Sequence, residues 1–416
     1  MLANLAVECR GWPWQACPRG LMKAEEFSKG HQSMNDTRVV QFSRPMLGPE
    51  EAQAAYDAVM SGWVTQGPRV AEFEREFAGA TTATHACAVS NCTTALHLAL
   101  RAVGVGEGDE VITVSYTFLA TANAIRYLGA WPVFVDIERG TRNMDPALVE
   151  AAITSRTKAI LCVHQFGMPC DLAAILAVAN RHGLPVIEDA ACAAGSEIQI
   201  DGQWEPIGKP QGVAACFSFH PRKVLTAGDG GIITSNDAEF DAKVRRWRQH
   251  AMSVSDLTRN NSSQVIIETF DEVGYNYRMT DIQAAVARRQ LVRLPAIIKA
   301  RREWAARYVE LLSDLPGLEF PVEPSWARSN WQTYNVLLQP GIDRDAVMQS
   351  MLEAGVQTRR PTFCCHLEKA HNQRPLRFPL PVSEDVYRRN LGLPLFPHMS
   401  VGDQDQVIAA LRNSLR

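Results

Sequence analysis

The chain has 416 residues, more than one hydrophobic core usually organises, so two domains are expected. Apolar residues make up 46% and charged residues 21%, the balance of a globular enzyme, and a net charge of −3 gives no basic surplus for nucleic acid. The sequence has no run of about 18 apolar residues to cross a membrane, and its ten cysteines form neither a CxxC pair nor a His/Cys zinc spacing, which suits reduced thiols in a cytoplasmic protein without a metal site.

Residues 1–38 lack the charged start and apolar block of a signal peptide and read as a poorly ordered extension, with Met22 and Met34 as alternative starts. A large domain is expected over 39–290 and a smaller C-terminal α/β domain over 291–416. "GPEE" (48–51) opens a helix with a proline and two acids in its first turn. Short apolar runs then alternate with helical patterns as far as about residue 240. "THACAVSN" (84–91) is a strand and "TTALHLALRAVG" (93–104) the helix after it. "DEVITVS", the helical "TFLATANAIRYLG" and the strand "WPVFVDI" cover 109–137. "KAILCVHQFG", the helical "CDLAAILAVANRHG" and "PVIEDA" follow, and "AACFSF" (214–219) and "GGIITS" (230–235) close the set. Strand–helix alternation with nearly continuous apolar strands predicts a mostly parallel sheet sandwiched by helices. "KVRRWRQHA" (243–251) reads as a solvated helix face. The pattern over 276–317 is one long connecting helix that Pro295 should kink.

In an open α/β sheet, ligands bind beyond the carboxyl ends of the strands, and chemistry-bearing residues collect there. After the first strand, "SNCTT" (90–94) starts a helix whose free N–H groups favour a phosphate, although a plain N-cap by Ser90 or Asn91 accounts for the same residues. Asp189 ends an apolar strand, where a carboxylate needs a partner; a protonated pyridine nitrogen is one, and a cap on the next residues is another. Ser218 lies five residues before Lys223, and Gly228, Gly230 and Gly231 follow closely. Lys223 taken alone could belong to a solvated basic turn. Taken with a phosphate cradle and a ring acid on one sheet edge, it is a Schiff-base nucleophile, and the cofactor described is pyridoxal phosphate.

"SGWVTQGP", "SNCTTALHLAL", "SYTFLATANA", "PVFVDI", "VIEDAA", "FSFHPRK", "GDGG" and "GYNYRMTDIQAA" occur in this order. Together they resemble the DegT/DnrJ/StrS family of sugar aminotransferases, of the type I aminotransferase fold, from about residue 40 to the end. The resemblance implies that Lys223 binds the cofactor and shuttles the substrate proton, and that Asp189 pairs with the pyridinium nitrogen. Phe118 matches the aromatic on the ring; Ser218, Thr93 and the Cys92 backbone match the phosphate holders. Asn276 matches an asparagine that reaches the phosphate from the neighbouring subunit, with Arg278 beside it, and Thr65 matches a residue of the sugar pocket. His220 and His164 lie near the site and are expected to be structural. Three positions depart from the pattern: Cys92 for glycine, Asp229 for glutamate, and Cys192 where glutamine or histidine touches the ring hydroxyl.

The expected activity is transfer of an amino group, from glutamate by resemblance, to a nucleotide-linked keto-sugar by a homodimer with shared sites. A dehydratase or amino-benzoate-forming branch is the alternative, with a non-catalytic regulator on the same fold as a third reading. The dehydratase branch has histidine in place of the lysine, so Lys223 speaks against it. No function follows from the adjacent Cys364 and Cys365.

Overall fold

Seven strands build the central sheet of the computed structural model, which describes residues 39–416; the extension expected over 1–38 lies outside the described residues. They are β1 (His85–Val89), β2 (Glu110–Val114), β3 (Trp131–Val135), β4 (Thr157–Val163), β5 (Val186–Asp189), β6 (Ala214–Ser218) and β7 (Gly231–Ser235). Their order is β1-β7-β6-β5-β4-β2-β3. The five from β6 to β3 run parallel, while β7 is antiparallel to β6 and β1. This is the expected mostly parallel sheet.

The apolar runs are explained by burial on both faces. Ile112, Phe217 and Ile232 enter one core, and their neighbours Val111, Cys216 and Ile233 enter the other. Successive strand side chains point to opposite faces, so both positions must be apolar. Helices α1 (Pro68–Thr81), α2 (Cys92–Ala102), α3 (Leu119–Arg126) and α4 (Ala238–Trp247) belong to these layers. Helix α5 (Asp281–Leu312) continues through Pro295 for 32 residues. Beyond it, α6 (Arg344–Glu353), α7 (Val401–Ser414) and the strand pair Tyr334–Leu337 with Asn390–Leu393 surround a third core, which includes Tyr308 of α5. Among the described residues no helix is long and apolar enough to cross a membrane.

The solvated face expected at 243–251 is found on one side only, where Lys243, Arg246 and His250 are exposed; the other side is buried. Val244 and Trp247 are buried, and Arg245 and Arg248 both bind Glu74 of α1. The same guanidiniums donate to the carbonyls of Ala86 and Ala88 on β1. Burial alone would raise the pKa of Glu74, but the two guanidiniums outweigh it and keep the carboxyl below its usual range. The charges fasten α1, β1 and α4 together. Their acid partner is more than 170 residues away in the chain, beyond the reach of any local pattern.

Candidate active site

The turn after β1, the ends of β5 and β6, and the loop between β6 and β7 open onto one cavity of about 630 Å³. At the β1 turn, Asn91 caps α2 by accepting from Thr94 N at 3.0 Å. A helix leaves its first N–H groups without intrahelical partners, and Cys92 and Thr93 line the cavity at that point. The N-cap and a helix start facing the cavity are therefore compatible. Gly231 of β7 passes close beneath: a Cβ there would lie 2.5 Å from the Asn91 carbonyl carbon and 2.8 Å from Cys92 N.

Asp189 ends β5 with 4% of its surface exposed. Its Oδ1 accepts from Ala191 N at 3.1 Å and its Oδ2 from Thr121 Oγ1 at 2.8 Å. No helix follows for it to cap: residues 190–196 are turns, and the carboxylate ties the first of them. Burial raises its pKa above the usual carboxylate value, and the Thr121 hydroxyl and Ala191 N–H only partly offset this.

Lys223 lines the same cavity, with Nζ 3.1 Å from Cys192 Sγ. Its loop is tied by Lys223 N to His220 O and by Phe219 N to Gly230 O. The turn uses left-handed backbone at Gly228, φ +83°. Burial opposes the charged amine, but the Cys192 sulfur beside it and the Asp189 carboxylate favour it and hold the pKa above the ordinary lysine value. Lys223 is half-buried in this turn with its amine against Cys192 in the cavity wall, while Arg222 beside it is exposed. Ser218 also lines the cavity, as does Phe118, which is 55% exposed at the start of α3.

Thr65, Asn276 and Arg278 do not line this cavity. Asn276 bridges Gln249, Gln66 Nε2 donates to Gln249 Oε1 at 3.4 Å, and Thr65 O accepts from Asp281 N, while Tyr277, between Asn276 and Arg278, accepts from Ser90 N beside the β1 turn. His164 is fully buried; its Nε2 meets Glu188 and its Nδ1 accepts from Cys170 N at 3.0 Å. That fits a structural histidine. His220 does reach the cavity wall, and its Nδ1 accepts from Arg222 N. Asp229 is in the wall and accepts from Gly230 N at 2.9 Å.

Sequence reasoning missed the far wall, where Gln332, Thr333, Arg359, Arg360 and Phe363 stand. The one signal was "RRP" at 359–361, two cations with no acid nearby in the chain. Cys364 and Cys365 acquire an explanation. Phe363–Cys364 pairs with Tyr116–Thr117, so the two buried thiols back the segment that carries Phe118.

The profile of the DegT/DnrJ/EryC1/StrS aminotransferase family matches residues 45–412. The chain belongs to that family. It is 40% identical over 383 residues to the spore coat polysaccharide biosynthesis protein SpsC of Bacillus subtilis, covering 90% of this chain and 97% of SpsC. S. venezuelae DesV superposes with a TM-score of 0.80 at 34% identity, over 88% of this chain and 95% of DesV. DesI, solved in the presence of its TDP-sugar product, gives 0.81 at 32% identity, over 92% and 94%. DegT/DnrJ/EryC1/StrS aminotransferases use pyridoxal phosphate, and this chain is a pyridoxal-phosphate-dependent enzyme of that sugar aminotransferase family. The cavity suits the cofactor in its donors: helix N–H groups for a phosphate, a buried carboxylate for a ring nitrogen, an amine for an aldehyde.

Proposed function

We propose that the chain moves an amino group from an amino acid, glutamate by family resemblance, to a nucleotide-linked keto-sugar in a ping-pong cycle. The observation that carries this reading is the meeting of Lys223, Asp189 and the α2 N-terminus at one cavity. Pyridoxal phosphate supplies a pyridinium ring that takes up carbanionic charge. Of this chain's groups, Thr93, Ser218 and the Cys92 N–H hold the phosphate. Asp189 would keep a proton on the ring nitrogen, Phe118 would cover the ring, and Cys192 would meet its hydroxyl. Lys223 Nζ would hold the aldehyde carbon, and the same amine would be the group that takes the proton from the donor's α-carbon and delivers one to the sugar carbon.

A nucleotide-linked substrate is supported by charge. Arg222, Arg359 and Arg360 stand in the wall with no carboxylate partner among the described residues, and guanidiniums suit phosphate oxygens. The TDP-sugar product with which DesI was solved agrees with this class. To test the reading, the enzyme is loaded with glutamate and then offered a panel of keto-sugar nucleotides. Return of the lysine-bound cofactor absorbance with at least one of them is expected. Failure with all of them, together with turnover of a cyclic amino-acid precursor, would overturn it.

The working unit is read as a cytoplasmic homodimer, with a cofactor domain at 39–290 and a smaller domain at 291–416, α5 being common to both. Asn276 does not line its own chain's cavity, and it follows a segment in which Val265 and Ile267 are 93% and 85% exposed. Covering such apolar side chains by a second copy would carry Asn276 and Arg278, and Thr65 with them, to the partner's site. Mixing an inactive Lys223→Ala homodimer with an inactive Asn276→Asp homodimer, after dissociation, makes about half of the dimers mixed. Each mixed dimer then holds one intact site, so about a quarter of wild-type activity should return. No recovery in mass-verified heterodimers would refute the shared site.

A further inference from the structure

Asp189 does not stand alone in its pocket. Thr121 Oγ1 donates to its Oδ2 at 2.8 Å, and Thr117 Oγ1 lies 3.0 Å from Thr121 Oγ1. Both threonines are 1% exposed. A hydroxyl has one proton, and Thr121 spends its own on the carboxylate, so the proton between the threonines belongs to Thr117. The chain runs one way: Thr117 to Thr121 to Asp189. Were Asp189 protonated and donating, both hydroxyls would have to reverse. Thr117 would then lack an acceptor, for its hydroxyl has no other hydrogen bond among the described residues.

We propose that Thr121, with Thr117 behind it, is a positioning residue that orients the Asp189 carboxylate and holds it ionised for the cofactor's ring nitrogen. This inference rests on the proposed pairing of Asp189 with that nitrogen. Thr121 sits in the first turn of α3, with its N–H on the Phe118 carbonyl. One turn therefore sets both the aromatic over the ring and the hydroxyl on the ring's counter-ion. Thr117 in turn belongs to the strand paired with Phe363–Cys364.

The groups that face Asp189 are Lys223 from the β6–β7 loop, His164 at the end of β4, Cys92 at the start of α2 and Cys216 on β6. Burial pushes both thiols well above their usual pKa, so they stay neutral at working pH. His164 is held between Glu188 and Cys170 N. A titration difference made by altering Thr121 alone therefore reports the carboxyl it touches.

The test measures release of pyridoxal phosphate from the holoenzyme as a function of pH. A carboxyl with a raised pKa loses its charge as pH falls through that value, so cofactor affinity should drop on the acid side. In Thr121→Val the carboxylate loses a donor and its pKa rises further. The acid limb should move up by about one pH unit, a roughly tenfold weaker affinity on that limb. Thr117→Val should move it the same way by less, and Thr121→Ser should restore the wild-type limb. A limb unmoved in Thr121→Val, or moved equally in Thr121→Ser, would overturn the inference, whatever happens to the melting temperature. Asp189→Asn separates the two levels. If the limb disappears in Asp189→Asn yet stays put in Thr121→Val, the hydroxyl chain alone is refuted. If it survives in Asp189→Asn, the Asp189 pairing fails and the inference fails with it.

Discussion

Lys223→Ala is expected to abolish covalent attachment of pyridoxal phosphate and to slow transamination by about 10³-fold or more, with the fold intact. The amine would act twice, once as the group that binds the aldehyde and once as the base that moves the substrate proton, so both functions leave together. The fold should survive because the loop is tied by backbone and Thr226 bonds, none of which uses the lysine head. Borohydride reduction followed by peptide mapping checks the assignment: label should fall on Lys223 in the wild type and on no lysine in the variant. A variant with wild-type absorbance and a stable label elsewhere would remove Lys223 from its role.

Asp189→Asn should hold the cofactor more weakly and, when saturated with it, still lower the glutamate half-reaction by about 10²–10³-fold. An amide cannot keep a proton on the ring nitrogen, and an uncharged ring is a poor acceptor of carbanionic charge. The amide oxygen can keep the bond from Ala191 N, while the NH2 stands in the place of Oδ2 against Thr121, so the turn after β5 is preserved and the Thr121 bond is not. Single-turnover kinetics isolates the step. A rate within a few-fold of wild type would leave Asp189 as a tie for the turn after β5 and nothing more.

Much of the site was legible because the groups that do chemistry on a parallel sheet follow strand ends, and strand ends are marked by turns. Lys223, Asp189, Ser218 and the Asn91–Thr93 turn could be placed from the order of apolar runs, and they line one cavity. Neither alternative excludes the other: Asn91 caps α2 and also lines the cavity, and Asp189 ties the turn after β5 and lines the same cavity. The rest was hidden by distance along the chain. Thr121 looks like any helical threonine until β5 brings Asp189, 68 residues on, against it. Arg245 and Arg248 look like solvated charges until Glu74 arrives from α1. Periodicity shows which face an element buries, not which partner it meets there.

Gly231 also restricts how this protein can drift over generations. Every missense change at a glycine codon adds a side chain, and here the first added carbon collides with the backbone of Asn91 and Cys92 rather than with a movable side chain. Neighbouring Gly228 has open space and only a left-handed backbone to satisfy, a conformation that asparagine or aspartate can adopt at modest cost. Two glycines three positions apart thus face opposite fates: one can be exchanged singly, while the other can change only if the helix start above it is rebuilt in the same lineage.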